Sequence, residues 1–321
     1  MPSISKRLDQ LTDDWNEAEI SRPSLQRWMD QLPKEDHAIA LRLLECMEFH
    51  SYSRLVRECR QIHRNLCDDL AQRGFDTETY SDIDFTRAFT CKSGDVIAYI
   101  YRKANLIPVT AFHNVEALLA DPRPPLERNR ALVILDDYIG TGSQFLFQFV
   151  ARDPAHCKLL NGYACLRFLA IVIHDDGKLK YQLLAKGAFE EVMAIEEQEL
   201  TCIDFSKDRN QLISALGSVN WQNSALLGAQ RDFPLLDHPQ LSNIERSNLI
   251  QFLERHDPHT EAGTTEFLLG HHTFFYGAPN ALPRLLLPLF KRVEDFTIYP
   301  REVQVGLPNA IMSYDIDGPT N

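Results

Sequence analysis

No stretch of this chain is apolar for the length that a bilayer crossing needs, and Met1-Pro2-Ser3-Ile4-Ser5-Lys6-Arg7 lacks the apolar centre of a signal peptide. A cytoplasmic protein without membrane association is expected. There is no C-x-x-C pair: the seven cysteines (Cys46, Cys59, Cys67, Cys91, Cys157, Cys165, Cys202) are odd in number, scattered, and without histidines at zinc spacing. They are expected to be reduced and packed. Positive charge is also scarce, with 33 Lys and Arg against 45 Asp and Glu, a net charge of −12 and a pI near 5.4. That balance excludes broad electrostatic binding to nucleic acid and leaves only a local basic patch. The composition of a disordered chain is absent too, since 44% hydrophobic residues over 321 positions supply a core for one large or two modest domains.

What the sequence does have is concentrated in Leu132-Val133-Ile134-Leu135-Asp136-Asp137-Tyr138-Ile139-Gly140-Thr141-Gly142-Ser143-Gln144. Four apolar residues without polar alternation read as the end of a strand covered on both faces, as in a parallel α/β sheet. Two carboxylates follow, then a glycine-bounded turn, then a helix expected over Gln144 to Ala151. Backbone N–H groups at such a turn, helped by the helix dipole, make an anion site. Acids beside an anion site suit a ligand that also carries hydroxyls or a metal ion, and a sugar phosphate meets both demands. Asp136 and Asp137 would accept hydrogen bonds from ribose hydroxyls, while the turn, Thr141 and Ser143 would hold the 5′-phosphate. The plainer alternative is a strand ending in two turn or capping acids.

Around this stretch the chain reads as helices, then alternating strands and helices, then helices again. Helices are expected over Glu35 to Phe49 and Ser53 to Gly74, the second with an apolar face of Leu55, Cys59, Ile62, Leu66 and Leu70. Arg57, Arg60 and Arg64 line its opposite face, as a solvated surface or a nucleic-acid contact. Strands are expected at Phe85 to Thr90, Leu106 to Thr110, Ala164 to His174 and Lys180 to Leu184, with a strand end at Ile203-Asp204-Phe205. Helices are expected over Asp95 to Lys103, Val115 to Ala120 and Asn243 to Arg255. The Pro-rich, charged run from Asp121 to Arg130 is an exposed loop. Asp175-Asp176-Gly177 after His174 reads as a hairpin turn rather than a metal site. His271 and His272 should point to opposite faces if extended, so no protein-held metal is expected there. Asn280, between Pro279 and Pro283, could read a base edge.

The hydrophobic run, acid pair and Thr-Gly turn resemble the phosphoribosyl-pyrophosphate (PRPP) loop of type I phosphoribosyltransferases. More of the chain is similar to one branch, the phosphoribosyltransferase-like proteins of bacterial conflict elements, found with anti-phage systems including some retrons. The similarity is carried by residues 28–33 and 40–45, Lys92-Ser93-Gly94, Asp136 to Gln144, and Gly277-Ala278-Pro279-Asn280. It departs from housekeeping enzymes at Gln144, where a small or hydroxyl residue is usual, and in its helical ends.

The resemblance implies a mostly parallel phosphoribosyltransferase-type α/β sheet flanked by helices. Expected regions are a helical 1–75, a core at 76–225 and a helical hood at 226–321. It implies catalytic Asp136 and Asp137 and a ribose-phosphate site from Asp136 through Tyr138, Ile139, Gly140, Thr141, Gly142 and Ser143 to Gln144. Lys92, Ser93 and Gly94 would hold pyrophosphate, Mg2+ would arrive with PRPP, and Arg123, Arg128 or Arg130 would contact ligand from a covering loop. The implied activity is transfer or cleavage at ribose C1 by a defence effector. The competing reading is a non-catalytic PRPP or nucleotide sensor. Partners would be a reverse transcriptase, a nucleic-acid-containing defence complex, or further copies of the chain.

Overall fold

The computed structural model describes residues 3–15, 20–87, 93–120, 129–151, 153–199, 209–256, 271–274, 284–286 and 289. These fall into two compact units, one within Met1–Leu55 and Asp232–Thr297, the other within Val56–Arg231. The chain opens with α1 (Ile4–Asp14), α2 (Arg22–Met29), α3 (His37–Glu45) and the short strand β1 (Glu48–His50). Helix α4 (Tyr52–Gln72) leads to β2 (Ile83–Arg87), α5 (Ser93–Ala104), α6 (Val115–Leu119) and β3 (Ala131–Ile139). Then come α7 (Ser143–Phe145), α8 (Pro154–Asn161), β4 (Cys165–His174), α9 (Asp175–Ala185), α10 (Phe189–Glu199), α11 (Arg209–Gly217) and β5 (Ser224–Asp232). Helix α12 (Asn243–His256) and β6 (His272–Phe274) complete the named elements.

The second unit is an α/β layer structure around a four-stranded sheet ordered β2-β3-β4-β5, in which β2, β3 and β4 are parallel. Its central strands are apolar on both faces because helices cover both, as parallel sheets require. On one side Leu132, Ile134, Leu166 and Phe168 join side chains of α8, α10 and α11 in a common core with Trp221. The alternate residues Val133 and Leu135 are equally buried and face the opposite way, the side on which α5 packs. The first unit is a helical core of Leu8, Leu25, Met29, Leu41, Leu44, Leu249 and Phe252, to which the parallel pair β1-β6 belongs. No helix among the described residues is long and apolar enough to cross a membrane. The five described cysteines are free thiols, four of them buried.

Three expectations are corrected, and one strand was not foreseen. Residues 106–110 form no strand: Leu106 takes φ 54° in a turn, and Val109–Ala111 is a 3-10 turn. An isolated bridge, Phe85 to Phe112, joins this stretch to the sheet. The helix expected to reach Phe49 stops at Glu45, and residues 48–50 pair with β6 instead. Residues 175–185 are a helix rather than a hairpin. His174 caps it, its Nδ1 accepting from the Asp176 N–H at 3.2 Å, and Asp175 and Asp176 sit in the first turn where the helix dipole favours acids. β5 was not expected, because its residues are mostly half-buried without alternation and carry Gly228. A β-carbon at that glycine would lie 2.5 Å from Ile173 Cδ1, so the edge strand packs tightly on the Ile173 side chain there. Residues 203–205 lie outside the described residues.

Candidate functional site

β3 does not end at its fourth apolar residue but runs through the acids to Ile139. Consecutive strand residues leave opposite faces, so Asp136 follows the Leu132 and Ile134 side while Asp137 follows Val133 and Leu135. Asp137 is buried. Its Oδ1 accepts from the Ser93 hydroxyl at 2.9 Å and from the Tyr138 N–H at 2.9 Å. Asp136 is half-buried and its Oδ1 accepts from the Asp137 N–H at 2.9 Å. Ser93 and Asp137, 44 positions apart, therefore meet where the C-terminal end of a central strand approaches the N-terminus of α5. This is the end of a parallel sheet at which α/β proteins place ligands.

Gly140-Thr141-Gly142 makes the turn, with Gly142 at φ 77°, ψ −7°, a conformation that favours glycine. Thr141 Oγ1 and Ser143 Oγ are 2.7 Å apart, and the Ser143 N–H donates to Thr141 Oγ1 at 3.3 Å. Beneath the turn lies a buried ion pair. Lys180 Nζ donates to Glu196 Oε1 at 2.9 Å and to Ser143 Oγ at 3.2 Å, and Ser143 Oγ donates to the same Glu196 oxygen at 2.9 Å. Lys180 is 1% exposed and Glu196 0%, so the pair ties α9 and α10 to the turn from within. Tyr138, Ile139, Gly140, Thr141 and Gly142 are half-buried, Ser143 is buried and Gln144 is exposed.

The expected following helix is present but changes form. After α7 the chain takes a π turn over Leu146–Val150, with the Ala151 N–H donating to the Leu146 carbonyl at 2.9 Å. The rings of Phe145 and Phe149 stack across it with centroids 5.1 Å apart. Such turns recur at functional sites.

Ser93 is brought to Asp137, and Gly94 is buried in the first turn of α5. Arg87, at the end of β2, pairs with Asp95 in that turn. Lys92, Arg123, Arg128 and Asn280 lie outside the described residues. Arg130 is not brought to the turn. It precedes β3, at the opposite end of the sheet, where its Nε donates to Asp84 Oδ2 at 2.9 Å. Tyr163 donates to the same oxygen at 3.0 Å, and His113 Nε2 lies 3.2 Å from Oδ1. Burial alone would raise the Asp84 pKa, but Arg130 and the Tyr163 hydroxyl hold it below the usual carboxylate value. Arg57, Arg60 and Arg64 are exposed on α4, with Arg60 Nε donating to the Ala104 carbonyl at 3.2 Å.

His271 and His272 do not diverge as expected. The strand begins at His272, so strict alternation does not govern His271, and both rings lie beside Asp232. His271 Nδ1 is 2.6 Å and His272 Nε2 3.9 Å from Asp232 Oδ1.

Sequence reasoning also missed Lys180 and Glu196. The available signal was a lysine four residues before the buried Leu184 and a glutamate four after the buried Val192. That spacing is informative only once both segments are recognised as helices.

The PRTase-CE family model, phosphoribosyltransferase-like, matches residues 25–284. Comparison with curated proteins and with solved structures finds no match.

Proposed function

This chain belongs to the PRTase-CE family, and from that premise we propose that it binds a ribose phosphate, as PRPP or a nucleotide, at the turn from Asp136 to Gln144. The observation that carries the reading is the Ser93–Asp137 hydrogen bond. It joins the two segments that would hold the pyrophosphate and the ribose phosphate of one ligand, at the ligand-binding end of a parallel sheet.

In this reading Ser93 and Gly94, with Lys92, face pyrophosphate. Asp136 and Asp137 accept from the ribose hydroxyls, and backbone N–H groups of residues 140–143 receive the 5′-phosphate. Magnesium enters with PRPP as part of the substrate. In transfer, the bond from ribose C1 to the pyrophosphate oxygen breaks, that oxygen keeps the electron pair, and an acceptor nitrogen or oxygen bonds to C1. With a nucleotide, the C1–N bond breaks and water supplies the new oxygen. Positive charge develops at the ribose ring in both cases, and nearby carboxylates stabilise it most in the transition state. The resemblance to conflict-element proteins supports a setting in anti-phage defence, with a reverse transcriptase or nucleic-acid complex as partner.

A second reading, a non-catalytic sensor, is favoured by one observation: the Ser143 hydroxyl is engaged from within by Lys180 and Glu196 rather than presented to a ligand. One experiment separates the two. PRPP with Mg2+, or a nucleotide, is added to the full chain while thermal stability and pyrophosphate or base release are followed. An enzyme is stabilised and turns over, a sensor is only stabilised, and a chain that does neither is not a ribose-phosphate protein. In cells under phage challenge, an effector should change nucleotide pools in wild type but not in Asp137→Asn.

A further inference from the structure

Buried histidines are ordinarily satisfied, because an imidazole without partners loses its hydration for nothing in return. Around Asp232 that rule fails twice. Among the described residues, His271 Nδ1 and His272 Nε2 are buried atoms with no hydrogen-bond partner, although both residues are only 1% exposed. Both atoms lie beside one carboxylate. His271 Nδ1 is 2.6 Å from Asp232 Oδ1 but outside hydrogen-bond geometry, and His272 Nε2 is 3.9 Å from it. Asp232 is itself 0% exposed.

We propose that Asp232, His271 and His272 hold a divalent transition metal ion of the zinc class, buried in the first unit and separate from the ribose-phosphate turn. One ligand atom from each of the three residues lies within 4.8 Å of the others. Ligands about 2.0–2.1 Å from a tetrahedral ion are about 3.3 Å from each other. The two distances from Asp232, 2.6 and 3.9 Å, bracket that value. Two imidazoles and a carboxylate suit zinc or its first-row neighbours and not magnesium, which requires oxygen donors.

The other edge of His272 supports the assignment. Its Nδ1 is 2.7 Å from His50 Nε2. With the proton on His272 Nδ1 and donated to His50, the Nε2 lone pair faces Asp232, which is the tautomer a metal ligand needs. A histidine ligand whose second nitrogen is held in this way is the usual arrangement around protein metals. Glu48 and His50 stand on β1 in register with His272 and Phe274 on β6, so the supporting histidine comes from the neighbouring strand. The ion would thus fasten the end of β5 to the start of β6, segments 39 positions apart, with β1 behind them.

The test uses the full chain, purified without an affinity tag of histidines and dialysed against a weak chelator. Elemental analysis should find about one equivalent of metal. Apoprotein made with a strong chelator should take up Co2+ to the same stoichiometry, with visible absorption bands of a low-coordinate N/O site, and Zn2+ should displace it. His272→Gln and Asp232→Asn should each abolish the bands, while His37→Gln, a histidine elsewhere in the same unit, should leave them. Should the ligand variants fail to fold, the wild-type stoichiometry and spectrum decide alone. A chain that is metal-free as purified and shows no saturable Co2+ or Zn2+ uptake overturns the proposal, as does a folded His272→Gln that binds like wild type. The cluster is then a metal-free histidine–aspartate network.

Discussion

Gly177, in the first turn of α9, lies against Gly140 backbone to backbone. A β-carbon added to Gly177 would stand 2.2 Å from the Gly140 carbonyl oxygen and 2.9 Å from Ile139 Cγ2. Neither contact can be relieved by rotating a long side chain. Gly177→Ala should therefore displace the turn or the helix, at about 1–3 kcal/mol as for other overpacked sites. The expected readout is a lowered Tm together with loss of stabilisation by PRPP. Unchanged ligand response in this variant would separate the turn from the binding site.

Asp137 and Ser93 offer a graded pair of variants. Ser93→Ala removes one hydrogen bond, worth about 0.5–1.5 kcal/mol, or more because the acceptor is a carboxylate. It should weaken PRPP binding modestly. Asp137→Asn keeps the shape and removes the charge, so it should lower kcat by at least as large a factor as it weakens binding. Equal turnover by Asp137→Asn and wild type would rule out this acid as the source of transition-state stabilisation.

A buried ion pair is more sensitive to losing one partner than to losing both. Lys180→Met should destabilise the chain by roughly 3–5 kcal/mol, because the Glu196 charge is stranded. Adding Glu196→Leu should restore much of that loss in denaturant unfolding. With the turn intact but Ser143 no longer held, the double variant also asks whether this hydroxyl is needed for the ligand.

Acid should destabilise the second unit through His63. Its ring lies between the hydroxyls of Tyr101, 2.8 Å from Nδ1, and Tyr80, 3.0 Å from Nε2. Burial lowers its pKa from 6.5 to about 4. The unfolded chain therefore takes up the proton first as pH falls. The neutral ring's contribution is fully present above pH 6.5, is lost between 6.5 and about 4, and is flat below. Its size is on the order of 3 kcal/mol. Urea midpoints across that range should slope less in His63→Phe.

The fold class was legible because Leu132–Leu135 in β3 and Phe168–Ile173 in β4 are continuous apolar runs, as strands of a sheet covered on both sides are. The turn was legible because glycines at 140 and 142 flank a threonine after two acids. The helix at 175–185 was not, since Asp-Asp-Gly after a strand is as good a hairpin signal as a helix start. What decided it was the local His174 cap together with the packing of Gly177 on Gly140, the second a tertiary fact. The split of Asp136 and Asp137 across the sheet depends on where β3 ends, and strand ends are fixed by pairing with neighbours. Asp136 opposite Ala170 and Tyr138 opposite Val172 extend it. The convergence of His271 and His272 on Asp232 is longer-range still, because it joins residues that no local pattern relates.

The π turn over Leu146–Val150 sets one further condition on the chain. Relative to an ordinary α-helix it holds one surplus residue, so excising any single position there would let the helix regularise. All that precedes it would then rotate by about 100° against all that follows. Ser143 above the Lys180–Glu196 pair and Phe149 in the core could not both keep their places. Length at this point is thus as constrained as side-chain identity, and a variant shortened by one residue should be less tolerable than most substitutions.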